Sequence, residues 1–108
     1  MNDIFKVLQE ECREVIAHFS EVYLFGSSLH ETNPNDIDLL LVYEEEAIRF
    51  IEEQKRQIFD LLMLFTGIEC HFVTLSKKEM SQTGFLNHVK HKKVKWLVLI
   101  IMIYIEAE

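Results

Sequence analysis

Val22-Tyr23-Leu24-Phe25-Gly26-Ser27-Ser28, followed after a polar spacer by Asn35-Asp36-Ile37-Asp38-Leu39-Leu40-Leu41-Val42-Tyr43, decides how this chain folds. An apolar strand, Val22 to Phe25, breaks at a glycine that has no Cβ and so lets backbone or ligand come close. Ser27 and Ser28 stand where a short helix, Ser27 to about Glu31, would begin, with N–H groups and hydroxyls available to an anion. The spacer Asn33-Pro34-Asn35 reads as a turn. The second strand, Asp36 to Tyr43, carries the unbroken apolar run Leu39-Leu40-Leu41-Val42, the pattern of a strand buried on both faces.

Asp36 and Asp38 are two residues apart, so on a strand both carboxylates project from one face, roughly 7 Å apart. Acids entering a buried strand carry a desolvation cost unless something pairs with them. The sequence holds no Lys or Arg between Phe25 and Tyr43. A cation from solution is the simplest partner.

Leu24-Phe25-Gly26-Ser27-Ser28, the spacer, then Asn35-Asp36-Ile37-Asp38-Leu39 resembles the signature of the polymerase-β-type nucleotidyltransferase superfamily, and in length the chain is similar to its minimal, single-domain members. The resemblance spans about residues 20 to 76 and rests on Gly26, Ser27, Asp36 and Asp38. It implies a metal-assisted transfer of a nucleoside monophosphate, AMP from ATP in the leading reading, to a protein or small-molecule hydroxyl. Gly26, Ser27 and Ser28 would bind the nucleotide. Asp36 and Asp38, with a third acid, would act as catalytic residues and hold Mg²⁺ in a two-metal site, with Mn²⁺ as the alternative.

The third acid is harder to place. The next apolar strand, Ile68 to Leu75, has Glu69 as its only acid, with His71 on the same face. Counted back from Ser76, the family's acid falls nearer His71. The role therefore goes to Glu69 in a shifted register, goes to His71, or is missing. The alternative function follows: a catalytically weak or inactive protein of the same fold that binds and neutralises a partner.

Working outward, Ile4, Leu8, Cys12, Val15, Ile16 and Phe19 form one apolar stripe, predicting a helix over residues 3 to 19. A second helix is predicted over Glu44 to Phe65, with Ile48, Ile51, Ile58, Leu62 and Phe65 inward and Glu45/Arg49 and Glu52/Arg56 pairing at i,i+4. Gly67 stops it. Ser76-Lys77-Lys78-Glu79 is a capping-box pattern that starts a third helix, Lys77 to about His91, with Phe85, Leu86 and Val89 inward. Lys90, Lys92, Lys93 and Lys95 then read as the solvated helix end, where cations complement the dipole, with a patch that meets an acidic partner or the triphosphate as the alternative. The expected fold is α/β (α+β in stricter usage): a small mixed β-sheet from Val22–Phe25, Asp36–Tyr43 and Ile68–Leu75, extended by a strand within Val94–Ile105, with helices packed mainly on one face.

The chain has 108 residues, 49% of them hydrophobic, with one Pro and three Gly, which fits one globular domain, 1–108. Cys12 and Cys70 lack disulfide-framework or metal-motif spacing and read as free, buried thiols in a reducing, cytoplasmic setting. A formal charge of −7 argues against a long nucleic acid as substrate. The ten apolar residues from Trp96 to Ile105 are too few to cross a membrane. They are expected to form a buried strand or a surface covered by another chain, such as a second copy. The resemblance adds one partner, a helical protein of the HEPN kind, to which minimal nucleotidyltransferases serve as antitoxins.

Overall fold

A computed structural model of the chain describes residues 4–29, 31 and 33–94. Residues 36 and 39–43 lie where the apolar run predicts, in a strand buried on both sides. This is β2 (Asp36–Tyr43), in which Leu39, Leu40, Leu41 and Val42 are all fully buried. β2 is flanked by β1 (Glu21–Phe25), antiparallel to it, and by β3 (Glu69–Ser76), parallel to it. A short fourth strand, β4 (His91–Lys93), pairs antiparallel with the far edge of β1, giving the order β3-β2-β1-β4. The sheet is mixed, as expected, because the long helix between β2 and β3 returns the chain for a parallel pairing while the other connections reverse it.

Period-two alternation gives each face its own cover. Ile37, Leu39 and Leu41 of β2 and Val22 and Leu24 of β1 face the larger core, packed against Ile4, Leu8, Cys12, Val15, Ile16 and Phe19 and against Ile51, Ile58 and Leu62. Tyr23, Leu40 and Val42 face the other side, against Phe25, Val73, Leu75, Met80, Phe85 and Leu86. Helices thus lie mainly on one face.

The N-terminal stripe is buried in full, but it is not one helix. α1 (Ile4–Glu10) and α2 (Arg13–Ile16) are separated by a break at which the Glu11 and Cys12 N–H groups both donate to the Val7 carbonyl, at 2.8 and 3.2 Å. Sharing one acceptor interrupts the ladder while leaving the apolar positions in phase.

The second predicted helix also divides. Glu45–Phe50 is a 3-10 helix, and α3 runs Ile51–Thr66. At three residues per turn the first segment leaves the α-helical stripe. Ile48 is 61% exposed and Phe65, at the other end, 44%, whereas Ile51, Ile58 and Leu62 are buried as expected. The ion pairs form at i,i+3, Glu52 with Lys55 at 3.3 Å and Glu53 with Arg56 at 3.0 Å, in place of the predicted i,i+4 pairs. Gly67, left-handed at φ 71°, ends α3.

The capping box is present: the Glu79 N–H donates to Ser76 Oγ at 3.1 Å and the Ser76 N–H to Glu79 Oε1 at 2.9 Å. The helix it starts, α4 (Lys77–Thr83), is half the expected length, because Gly84 adopts φ 60° and turns the chain out. A 3-10 turn, Phe85–Asn87, follows and leads to β4. Lys92 and Lys93 are therefore strand residues beside β1, not the end of a helix. Most of the strand expected within 94–105, and the interface assigned to residues 96–105, lie outside the described residues. Among the described residues no helix is long and apolar enough to cross a membrane.

Candidate active site

The parallel register of β2 and β3 brings the four polar residues together. Asp36 pairs with Glu69 and Asp38 with His71, and all four side chains share the sheet face that also carries Leu40, Val42, Val73 and Leu75. Farther along that face, the 3-10 turn after α4 covers the apolar residues. At the polar end nothing described covers them, and Asp36 and Asp38 are half-buried while Glu69 and His71 are exposed.

The chain turns from β1 directly onto this patch. Phe25, the last residue of β1, lies in register with Asp38, and Gly26 then adopts φ 77°. A Cβ on Gly26 would stand 3.1 Å from the Asp38 Cγ and overlap its Oδ2. Glycine is thus required twice, for the left-handed backbone and for the space that the Asp38 carboxylate occupies. Gly26–Leu29 forms a 3-10 turn, shorter than the helix expected to Glu31. Its Ser28 hydroxyl donates to the Phe25 carbonyl at 3.3 Å and so braces the turn. The Ser27 carbonyl accepts from the Glu31 N–H at 3.0 Å, and its hydroxyl has no partner among the described residues.

Electrostatics mark Asp38. Burial and, secondarily, the charge of Asp36 push its carboxyl above the ordinary aspartate value, and His71 offsets part of this. Two like charges held on one half-buried face form a pair that a divalent cation would relieve, and hard carboxylate oxygens suit Mg²⁺. Asp36 and Asp38 therefore fit one such ion. The His71 ring bridges the other two acids: Nδ1 is 3.8 Å from Asp36 Oδ2, and Nε2 is 3.7 Å from Glu69 Oε1. Glu69 is thus turned to the imidazole, its side chain 64% exposed. Among the described residues no three His, Cys, Asp or Glu side chains converge as a ligand set.

The sequence profile of the nucleotidyltransferase domain matches residues 6–101. The chain belongs to the nucleotidyltransferase domain family. Two solved structures assigned as nucleotidyltransferases are similar to this nucleotidyltransferase domain. One, from Sulfolobus solfataricus, is 23% identical with a TM-score of 0.43, over 73% of this chain and 72% of that one. The other is 22% identical with a TM-score of 0.45, over 82% of this chain and 94% of that one. A search of curated proteins finds no match.

One neighbour of the site comes from the late lysine patch. A cleft of about 310 Å³ opens beside Gly26, lined by Phe25, Gly26, Val89 and Lys90. Lys90 lies more than sixty positions from Gly26 in sequence, and the stretch around it carries no strand periodicity. The density of lysines there is the sequence signal, and it reads first as a helix end, with contact to the triphosphate as the alternative; the pairing of β4 with β1 is what brings Lys90 beside Gly26.

Proposed function

We propose that this nucleotidyltransferase domain moves a nucleoside monophosphate, AMP from ATP, onto a hydroxyl of a protein or small molecule. The observation that carries the proposal is the contact of the Gly26 turn with the Asp38 carboxylate, beside Asp36 on the same face. A triphosphate needs close backbone approach at one end and charge neutralisation at the other, and these two features are adjacent here.

In this reading Gly26 and Ser27 receive the terminal phosphates, the Ser27 hydroxyl having no partner among the described residues, while Ser28 holds the turn. Asp36 and Asp38 would hold a divalent cation, which would neutralise phosphate charge and polarise the phosphoryl oxygens. The acceptor oxygen forms a bond to the α-phosphorus as the bond from that phosphorus to the β-bridging oxygen breaks, and pyrophosphate leaves. The acceptor proton passes to a base, for which Glu69 and His71, on the same sheet face as Asp36 and Asp38, are the candidates. Transfer of label from α-labelled ATP, with magnesium-dependent release of pyrophosphate, tests the proposal. Asp36→Ala with Asp38→Ala must abolish it. A helical HEPN-type protein is the first acceptor to try.

The His71 bridge favours a second reading. An imidazole spanning Asp36 and Glu69 stands where a third carboxylate is expected, so the fold would bind and neutralise a partner without chemistry. Partner inhibition that survives the double aspartate substitution supports this reading over transfer.

A further inference from the structure

The glycine turn has no Lys or Arg of its own to meet a phosphate. Between Phe25 and Tyr43 the sequence has no Lys or Arg, and the neighbouring Asp36 and Asp38 are negative. One divalent ion on that pair would leave much of a triphosphate's charge uncompensated. The fold brings in a cation from the other end of the chain. Among the described residues that line the cleft, Phe25, Gly26, Val89 and Lys90, the charged one is Lys90.

The residues around Lys90 are engaged with one another. The Phe25 ring meets Phe85 edge-on at 5.4 Å. The His91 ring is held by the Val89 carbonyl at 3.0 Å through Nδ1 and packs edge-on against Tyr23, at 5.4 Å between centroids. The neighbouring lysines are engaged, Lys92 over the Phe5 ring at 3.9 Å and Lys93 with Glu21 at 3.9 Å. Lys90 forms no ion pair among the described residues. The result is a long, exposed cation projecting from a pinned turn beside the glycine at which phosphates are received.

We infer that Lys90 is a substrate-binding residue whose ammonium takes the terminal phosphates of the nucleoside triphosphate in the cleft beside Gly26. This rests on the nucleotidyl-transfer reading of the same site. A lysine is suited to the task as a compact charge with three donors that can follow phosphate oxygens without fixed geometry. The β- and γ-phosphates are assigned because Lys90 shares its cleft with Gly26, the turn that receives the terminal phosphates in that reading.

Isothermal titration with ATP and with AMP in magnesium, on wild type, Lys90→Ala, Lys90→Arg and the surface control Lys78→Ala, tests the assignment. Lys90→Ala is expected to weaken ATP binding about tenfold or more, the loss of a charge-assisted contact, and AMP binding less than about twofold. Lys90→Arg should stay within about threefold of wild type, and Lys78→Ala should match it. Equal losses for ATP and AMP overturn the inference, as does a Lys90→Ala that behaves like Lys78→Ala, while leaving nucleotide binding itself intact. Wild type that binds no nucleotide overturns the transfer reading and this assignment together.

Discussion

Gly26→Ala perturbs the fold and the site at one atom, and Gly67→Ala supplies its internal standard. Both glycines are left-handed, at φ 77° and 71°. A non-glycine residue in that region costs about 1–2 kcal/mol, partly offset by the lower chain entropy of alanine in the unfolded state, so each substitution starts near 1 kcal/mol. At Gly67 nothing lies within 4 Å of the added Cβ, and the cost ends there. At Gly26 the methyl meets Asp38 Cγ at 3.1 Å and Cβ at 3.3 Å and overlaps Oδ2. Forcing atoms into a filled space adds roughly 1–3 kcal/mol, for a total of about 2–4 kcal/mol. Urea unfolding followed by far-UV circular dichroism should place the Gly26→Ala midpoint roughly 1 M below that of Gly67→Ala. Combining Gly26→Ala with Asp38→Ala removes the overlapping carboxylate, and the cost of Gly26→Ala measured in that background should then fall toward that of Gly67→Ala. Equal midpoints for the two single variants would refute the claimed contact between the glycine turn and Asp38.

The remaining expectations concern charge, thiols and capping. A carboxyl whose folded value is raised binds its proton more tightly in the folded state, so ionised Asp38 costs stability above that value. In EDTA, Asp38→Asn should raise the thermal midpoint near pH 7, with the gain shrinking as pH falls toward the ordinary aspartate value of about 3.9. A gain that grows on acidification would contradict the assigned direction. Cys12 is pushed up to about 12, by burial first and Glu11 second, and burial raises Cys70 further. At pH 8 about one Cys12 in ten thousand is ionised, so neither thiol should react with a disulfide reagent until the chain unfolds. Ser76→Ala removes one half of the capping box and should cost about 1 kcal/mol by chemical denaturation, whereas Ser81→Ala, on the exposed side of α4, should cost less.

What could be read in advance followed from local rules that tertiary structure did not override. β2 begins and ends where the two acids and Tyr43 place it, because a run of Leu39 to Val42 buried on both faces has few other fates in a small sheet. The Ser76/Glu79 box and the Gly67 stop were legible because each is a self-contained set of hydrogen bonds or backbone angles. Two lengths were not. Apolar spacing continues past residue 84, and only the left-handed Gly84 ends α4 there. Spacing also does not separate a 3-10 from an α-helical turn over residues 45–50. At the site, alternation placed Asp36 with Asp38 and Glu69 with His71, but the strand register that joins the two pairs is a long-range property. So is the pairing of β4 with β1, which carries Lys90 to Gly26 and which three exposed residues, His91, Lys92 and Lys93, do not announce.

The central claim is that Asp36 and Asp38 gather a divalent cation beside a glycine turn shaped for a nucleoside triphosphate. Calorimetric titration of ATP into the protein, with magnesium and again in EDTA, for wild type and for Asp36→Asn with Asp38→Asn, tests it most directly. The account predicts binding by wild type that strengthens with magnesium, and a double variant in which that strengthening is gone. ATP binding that ignores both the metal and the two aspartates would contradict it.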